Sequence, residues 1–205
     1  MPKTLSPADI ETFRSRLCDI AEGLFAAHGP DGVTMRELAE AMGVSSMTAY
    51  RYFEDKDAIL AAVRTRAFSR FAGTMEQATA RLMKGGPHGQ PGDTYLDFAL
   101  ANPAAYRMMF DVNQPTAEKY PELVAAMDRA RATMGAGLNE LVNAGRFKGD
   151  VEQSAHIFWS AMHGPVMLEL AGLLTPPLDA RAIARPMLRM LYEKMGLSNA
   201  SGGSS

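Results

Sequence analysis

The chain has 205 residues, 47% of them hydrophobic, and a formal net charge of -2 at pH 7. A chain of this length and composition buries a core in one or two compact units, which excludes intrinsic disorder. The slightly acidic balance excludes binding to nucleic acid through bulk charge alone.

Apolar residues recur every three or four positions through most of the chain, and no segment shows the sustained alternation of a strand. The sequence therefore predicts an all-α fold. About nine helices are predicted, over residues 7–27, 34–41, 46–52, 55–83, 94–101, 103–110, 121–144, 151–174 and 180–195.

Clusters of helix-breaking residues separate these helices. The clearest is the loop from Lys84 to Asp93, which consists almost entirely of Gly, Pro and polar residues. Asp150 and Asp179 are placed to cap the last two helices. The tail, residues 197–205, has a linker-like composition and is predicted to be disordered.

Two short helices flank Gly43 in the N-terminal part of the chain. Thr34 and Glu37 have the spacing of a capping box, which starts the first of them, and Ser45 is placed to cap the second. Two short helices joined by a glycine-containing turn form a helix-turn-helix, whose second helix presents its first side chains to base edges in the major groove of DNA. The second helix here begins with small or polar side chains, as that role requires.

One segment resembles the DNA-binding domain of the TetR family: VTMRELAEAMGVSSMTAYRYFEDKDAIL. The elements that carry the resemblance are Thr34, the Leu38-Ala39 pair, Gly43-Val44, the Tyr50-x-Tyr52-Phe53 block and Lys56. The resemblance covers about residues 10–65. It implies a three-helix DNA-binding domain, placed at residues 1–54, and a helical ligand-binding and dimerisation domain, placed at residues 55–196.

The resemblance also implies which residues contact DNA. Those implied to contact phosphate are Thr34, Ser45, Tyr50 and Lys56. Those at base-reading positions are Ser46, Met47, Thr48 and Arg36, the last at a position from which some family members reach guanine. Tyr52 is implied to contact backbone or base.

These assignments have structural alternatives that the sequence leaves open. Thr34 and Ser45 are needed as helix caps whether or not DNA is bound. Arg36 is equally well explained as a solvated helix residue. Lys56 can pair with a neighbouring carboxylate, and Tyr50 can belong to the core.

The predicted DNA-binding end is itself slightly acidic, since residues 1–66 contain eight Lys or Arg and ten Asp or Glu. The neutralisation of phosphate charge by one protomer is therefore modest, and affinity is expected to need two protomers and to be salt-sensitive. A two-fold dimer reads a pseudo-palindrome whose half-sites lie about one helical turn apart, roughly 34–36 Å.

Two motifs of the C-terminal part resemble the WHG-type domain of one TetR subfamily: YLDFALANPAAYRMMF and Trp159-x-x-x-His163-Gly164. A pocket for a small apolar or aromatic ligand is built from aromatic rings, thioethers and a few polar groups. The residues assigned to it are Met75, Tyr95, Phe98, Tyr106, Phe110, Met127, Met134, Trp159, His163 and Met167. The alternatives are that the methionines fill the core and that His163 is a core histidine with a hydrogen-bond partner.

The last two helices are implied by the same resemblance to form a dimer interface. The apolar residues assigned to it are Ile157, Ala161, Leu168, Leu188, Leu191 and Met195. Two copies of this helix pair form a four-helix bundle across a two-fold axis. The alternative is that the same residues pack within one chain.

No motif of catalysis, metal binding or nucleotide binding is present, so the sequence predicts no enzyme, no metal and no cofactor. The N-terminal residues contain no apolar leader segment, and the lone Cys18 is typical of a reducing compartment. The most apolar stretch, residues 157–178, contains His163, Glu169 and two prolines, which argues against a membrane span. A cytoplasmic location is therefore expected.

The leading hypothesis is a homodimeric repressor that a small apolar or aromatic ligand releases from a palindromic operator in double-stranded DNA. The fourth predicted helix is the lever between the two domains. The alternative is a TetR-like co-regulator that acts through protein-protein interaction with weak or no DNA binding. The acidic N-terminal part motivates this alternative.

Overall fold

The computed structural model describes residues 6–84, 91–111 and 117–197. Over these ranges the chain is helical and contains no strand, which confirms the predicted all-α class. The α-helices are α1 (Pro7–His28), α2 (Met35–Met42), α3 (Ser46–Tyr50), α4 (Lys56–Met83), α5 (Pro91–Ala101), α6 (Pro103–Met109), α7 (Pro121–Asn143), α8 (Val151–Leu170) and α9 (Ala180–Lys194). A short 3-10 helix, Ala117–Lys119, precedes α7 and was not predicted.

Three predicted helix ends are wrong. Helix α5 begins at Pro91 and not near residue 94, because proline is favoured in a first turn, where its missing N–H has no partner to lose. Helix α3 ends at Tyr50, since the next two amides bond carbonyls only three residues back. Helix α8 ends at Leu170, where Gly172 takes a left-handed conformation with φ 68°.

Side-chain caps start six of these helices. In each, the side chain before the helix accepts a bond from the backbone amide three residues on; the caps are Ser6, Thr34, Ser45, Asp55, Asp150 and Asp179. At α2 the capping box is complete: the Thr34 hydroxyl oxygen accepts from the Glu37 amide at 3.3 Å, and the Glu37 carboxylate accepts from the Thr34 amide at 2.8 Å.

Replacing Thr34 with Ala is expected to lower the free energy of unfolding by about 1 kcal/mol, and Thr34→Ser is expected to keep most of it. The hydrogen bonds from Thr34 hold the pKa of Glu37 below its ordinary value of 4.5. The stabilisation that comes from the ionised Glu37 carboxylate is complete above pH 4.5, and it is lost as the pH falls through the lower pKa that Glu37 has in the folded state. Urea unfolding at pH 7 and pH 3.5 measures both effects, and equal stabilities of the Ala and Ser variants would contradict the expectation.

The described residues form two compact units. The first consists of residues up to Arg70 together with Ala104–Asp128, and the second of Phe71–Pro103 and the residues from Arg129 onward. Helices α4 and α7 therefore contribute to both. The predicted domain boundary at residue 54 is not tested by this division and stays a prediction. The predicted tail lies outside the described residues, apart from Leu197, which is buried.

The core of the first unit lies under the helix-turn-helix. Most of its buried side chains come from α1, α2, α3 and the first half of α4, and they include Leu17, Leu38 and Ile59 at 0% exposure. Met108, from the end of α6, is part of the same cluster. This core holds the two short helices in place, because a five-residue helix is not stable alone.

The second unit is built mainly on α8 and α9, which pack against each other, with α5 against both. Its buried side chains include Tyr95 and Leu96 of α5 and Val166 of α8, each at 0% exposure. No helix among the described residues is long and apolar enough to cross a membrane.

Candidate nucleic-acid interface

The turn between α2 and α3 is made by Gly43, which has φ 75°, a conformation that glycine adopts without a steric penalty. The Val44 amide bonds the Ala39 carbonyl at 2.9 Å and closes the end of α2. Leu38, Ala39 and Ala49 are fully buried beneath the two helices. With its inner side anchored in this way, α3 presents its outer side chains to solvent.

Met47 is the most exposed of the three predicted base-reading residues on α3, with 79% of its surface exposed. Ser46 and Thr48 beside it are half-buried, and Tyr50 is 53% exposed at the end of α3. The side chains at the start and the end of α3 are therefore accessible together. This arrangement fits a helix that enters a groove by its outer face.

The hydroxyls of Thr34 and Ser45 are both used as caps. The Thr34 hydroxyl also lies 2.8 Å from the Glu37 carboxylate, which can only accept, so the Thr34 proton is directed there. The Ser45 hydroxyl lies 2.9 Å from that of Thr48. The structural role proposed for both residues is thus present, and a phosphate would have to exchange with the Glu37 carboxylate to receive the Thr34 proton.

Arg36 and Lys56 also have protein partners. Arg36 is exposed and pairs with Glu40, one turn along α2, at 3.1 Å. The Lys56 ammonium donates to the Pro30 carbonyl at 2.6 Å and ties the turn after α1 to the start of α4. An ammonium has three donors, so this bond leaves Lys56 able to contact a phosphate.

Tyr52 lies against the first helix, a contact that the sequence did not predict. Its ring stacks on Phe13 with 3.8 Å between centroids, and its carbonyl accepts from the Arg14 guanidinium at 2.6 Å. Arg14 also lies over the Phe53 ring at 4.1 Å. Arg14 and Tyr52 are 38 positions apart in the sequence, so no local pattern could have revealed this contact.

Acidic side chains of α1 are paired with arginines of α4. Asp19 pairs with Arg66, and Glu22 pairs with Arg70 at 2.6 Å. The acidic charge counted over the N-terminal part is therefore partly compensated inside the first unit. Arg66 is already included in the count over residues 1–66, whereas Arg70 adds one positive charge that the count leaves out.

Four of the predicted ligand residues come together in the second unit. The Trp159 indole donates to the Tyr95 hydroxyl oxygen at 3.0 Å, and that hydroxyl lies 3.5 Å from Nδ1 of His163. Phe98 joins them through Phe71, whose ring packs edge-on against both Tyr95 and Phe98. Aromatic surface and polar groups are thus combined around one buried tyrosine.

Burial lowers the pKa of His163 from its ordinary value, so the imidazole is neutral at pH 7. An indole N–H can only donate, so Tyr95 accepts from Trp159 and has its own proton for Nδ1 of His163. His163 is therefore a histidine with a hydrogen-bond partner in the core. Its assignment as a ligand contact stays a prediction.

The other six predicted ligand residues are divided between the units. Tyr106, Phe110 and Met127 belong to the first unit, in which the rings of Tyr106 and Phe110 lie 4.9 Å apart. The members in the second unit are Met75, which is buried, and Met134 and Met167, which are half-buried.

An open groove of about 510 Å³ lies on α8 and α9, and none of the predicted ligand residues lines it. The residues that line it are Gln153, His156, Ile157, Ser160, Ala161, Met187, Met190 and Leu191. Most of this surface is apolar. Among the described residues no group of three His, Cys, Asp or Glu side chains is placed to hold a metal ion.

The predicted dimer residues are only partly on this surface. Ile157 and Leu168 are exposed, whereas Ala161 and Leu188 are 3% and 9% exposed because they pack within the subunit. Ala161 nevertheless lines the groove together with Ile157 and Leu191, whereas Leu168, Leu188 and Met195 do not line it. For Leu188, packing within one chain is the observed role. Leu191 and Met195 are half-buried. Met190, 60% exposed, was missed because its apolar character gives no sign of which side of α9 faces the core.

The chain matches two protein-family models and is similar to an HTH-type transcriptional regulator. The protein-family model described as bacterial regulatory proteins, tetR family, matches residues 17–63. The family model described as tetracyclin repressor-like, C-terminal domain, matches residues 90–191. An uncharacterised HTH-type transcriptional regulator of Mycobacterium tuberculosis is 24% identical over 180 residues, covering 86% of this chain and 78% of that protein.

Two solved structures share the fold. A protein of unknown function from Rhodococcus sp. RHA1 has a TM-score of 0.75 at 21% identity, over 96% of this chain and 99% of that one. The transcriptional regulator FadR of Bacillus subtilis, solved in complex with stearoyl-CoA, has a TM-score of 0.67 at 16% identity, over 90% of this chain and 99% of that one. At these identities the likeness shows the fold alone.

The helix-turn-helix, the all-helical second unit and the two matching models define a DNA-binding regulator of transcription. The chain belongs to the TetR family. Transcriptional regulators of this family are not a class of enzyme, which confirms the prediction made from the sequence.

Proposed function

We propose that the protein is a cytoplasmic homodimeric repressor that binds a palindromic operator through α3 and is released by a small apolar or aromatic ligand. The observation that carries the DNA-binding part is the exposed outer face of α3, with Met47 and Tyr50 accessible above a fully buried inner face. Family membership supports the same role.

The apolar groove on α8 and α9 supports the homodimer. Ile157, Leu168 and Met190 are large apolar side chains that one subunit leaves exposed on these two helices. Exposed apolar patches of this kind mark interaction surfaces. An isologous contact of this face with a second copy buries it and gives the dimer two α3 helices, one for each half-site.

The ligand response is supported by the aromatic cluster around Tyr95 and by the apolar side chains of the predicted ligand set. The FadR structure that shares this fold contains stearoyl-CoA, a ligand with a long apolar chain. Helix α4 belongs to both compact units, so it is a continuous connection along which a displacement can pass. The ligand shifts the equilibrium only by its difference in affinity for the two states.

The test of this function is the selection of binding sites from random duplex DNA with the purified full-length protein at low salt. Enrichment of a two-fold symmetric sequence is expected. Failure to enrich any palindrome under these conditions would overturn the DNA-binding proposal.

The double change Tyr50→Phe and Lys56→Ala is expected to weaken binding to the selected operator without changing the dimer. Removal of one phosphate-contacting lysine per protomer should reduce the salt slope by about one for each head. Because Lys56 also bonds Pro30, thermal unfolding is measured in parallel. Lys148→Ala, which removes the same charge from an exposed position in the second unit, is the control. Unchanged affinity and slope in the double variant would refute the assigned contacts.

The second candidate is a co-regulator that acts through protein-protein contacts. The excess of acidic over basic residues in positions 1–66 favours it. It predicts recovery of a specific protein partner and no footprint on DNA. The site selection distinguishes it from the repressor.

A further inference from the structure

Arg64 of α4 is the largest fully buried side chain that carries a charge in the described chain, with 1% of its surface exposed. Its Nη1 has no hydrogen-bond partner. A buried guanidinium N–H without an acceptor is unfavourable, and such groups are rare in folded proteins. Burial lowers the pKa of Arg64 to about 10, although the charge of the Asp111 carboxylate acts in the opposite direction, so the side chain is still charged at pH 7.

The contacts that Arg64 does make are with the end of α6. Its Nε donates to the Met108 carbonyl at 3.2 Å and its Nη2 to the Met109 carbonyl at 3.5 Å, the second bond being long. These are neutral acceptors at the negative end of a helix dipole. The best complement of a guanidinium is a carboxylate, which binds two of its N–H groups at once.

Aromatic side chains surround the same place. The Phe68 ring centroid lies 5.9 Å from the Arg64 guanidinium carbon, and the Phe110 ring meets Phe68 edge-on at 5.9 Å. Tyr106 packs on Phe110. A molecule with an apolar body and an anionic group would find both of its parts matched there.

We propose that Arg64 receives the carboxylate of an apolar organic acid, which replaces the Met108 and Met109 carbonyls and thereby frees the end of α6 from α4. This inference rests on the proposed ligand response. Nη1 is enclosed in the structure, so a carboxylate reaches it only when the end of α6 moves. Binding and displacement are thus one event.

The displacement reaches the helix-turn-helix through Met108. The carbonyl of this residue is a partner of Arg64, and its side chain is 5% exposed within the core beneath the helix-turn-helix. That core also contains Leu60 and Val63 of α4 and Ala49 of α3. Movement of the end of α6 therefore changes the packing that positions α3.

The test compares carboxylic acids with their own primary amides on the full-length protein. The series runs from hexanoate to palmitate and includes 1-naphthoate, and affinity is measured by calorimetry below micelle-forming concentrations. A charge-assisted bond is expected to favour the best-binding acid over its amide by at least about tenfold. In Arg64→Met this preference is expected to fall to about one. No preference for any acid in the wild type, or a preference that survives in Arg64→Met, overturns the proposal.

Two further measurements separate ligand binding from a structural role of Arg64. Arg70→Met makes the same change on the same helix at an arginine that pairs with Glu22, and it is expected to keep the preference for the acid. The backbone N–H of Phe110 bonds the Arg107 carbonyl at 3.2 Å. In the wild type this N–H is expected to exchange with deuterium faster when the carboxylic acid is bound than when the primary amide of that acid is bound. Equal exchange rates contradict the displacement, and this readout does not depend on the folding of a variant.

The outcome is also distinguishable from that of the proposed function. Failure of the operator selection overturns the repressor whatever the ligand results are. Operator binding without a preference for any acid overturns the role of Arg64 alone.

Discussion

Met47→Glu is expected to weaken operator binding by at least about 100-fold and to leave folding and dimerisation unchanged. Met47 is 79% exposed at the start of α3, so its replacement disturbs no core contact. A carboxylate at this position faces the phosphates and base acceptors of the major groove, and juxtaposed like charges cost several kcal/mol. A 100-fold loss of operator affinity corresponds to about 2.7 kcal/mol, to which the two α3 helices of the dimer both contribute.

The measurement is a titration of the selected operator at fixed salt, followed by anisotropy of a labelled duplex. Met83→Glu is the matched control, because Met83 is 52% exposed at the far end of α4 and makes the same change of side chain. The control is expected to bind within about twofold of the wild type, as surface substitutions outside an interface do. If Met47→Glu binds as tightly as Met83→Glu, α3 is not the reading helix.

Met190→Glu is expected to convert the dimer into a monomer and to reduce operator affinity as a consequence. Met190 lines the apolar groove on α8 and α9 and is 60% exposed within one subunit, so the monomer keeps its own core. In an isologous dimer each substitution occurs twice near the axis. Two carboxylates would then be buried without partners in an apolar contact, which costs several kcal/mol.

Sedimentation velocity over a range of protein concentrations measures the change, and operator titration follows its effect on DNA binding. Leu173→Glu is the control, because Leu173 is 69% exposed in the same unit but does not line the groove. It is expected to remain dimeric. A dimeric Met190→Glu would place the subunit interface elsewhere and remove the main support for the α8–α9 face.

Helix starts could be predicted well because a cap involves residues only three positions apart. Thr34, Ser45, Asp150 and Asp179 were all assigned as caps from their side chains, and each accepts the expected bond. The start of α5 was missed because proline both breaks helices and begins them. Which of the two it does depends on what the following residues pack against.

In the candidate site, too, the features set by neighbouring residues could be predicted, and the contacts between distant residues could not. The helix-turn-helix and the exposure of its outer face followed from Gly43, the caps and the spacing of apolar residues. The stacking of Tyr52 on Phe13 and the bond from Lys56 to Pro30 did not. These contacts join different helices, so they depend on how the helices pack.

The helix-turn-helix was thus determined by the sequence itself, since caps, a left-handed glycine and an apolar inner face all act within a few residues. Only the tertiary structure decided that its acidic α1 is compensated by arginines of α4. Only the tertiary structure, too, decided that Arg64 is buried against the end of α6 with one donor unsatisfied. In a sequence Arg64 is one charged residue on a long helix, and its burial exists only because α6 returns to α4 more than forty residues later.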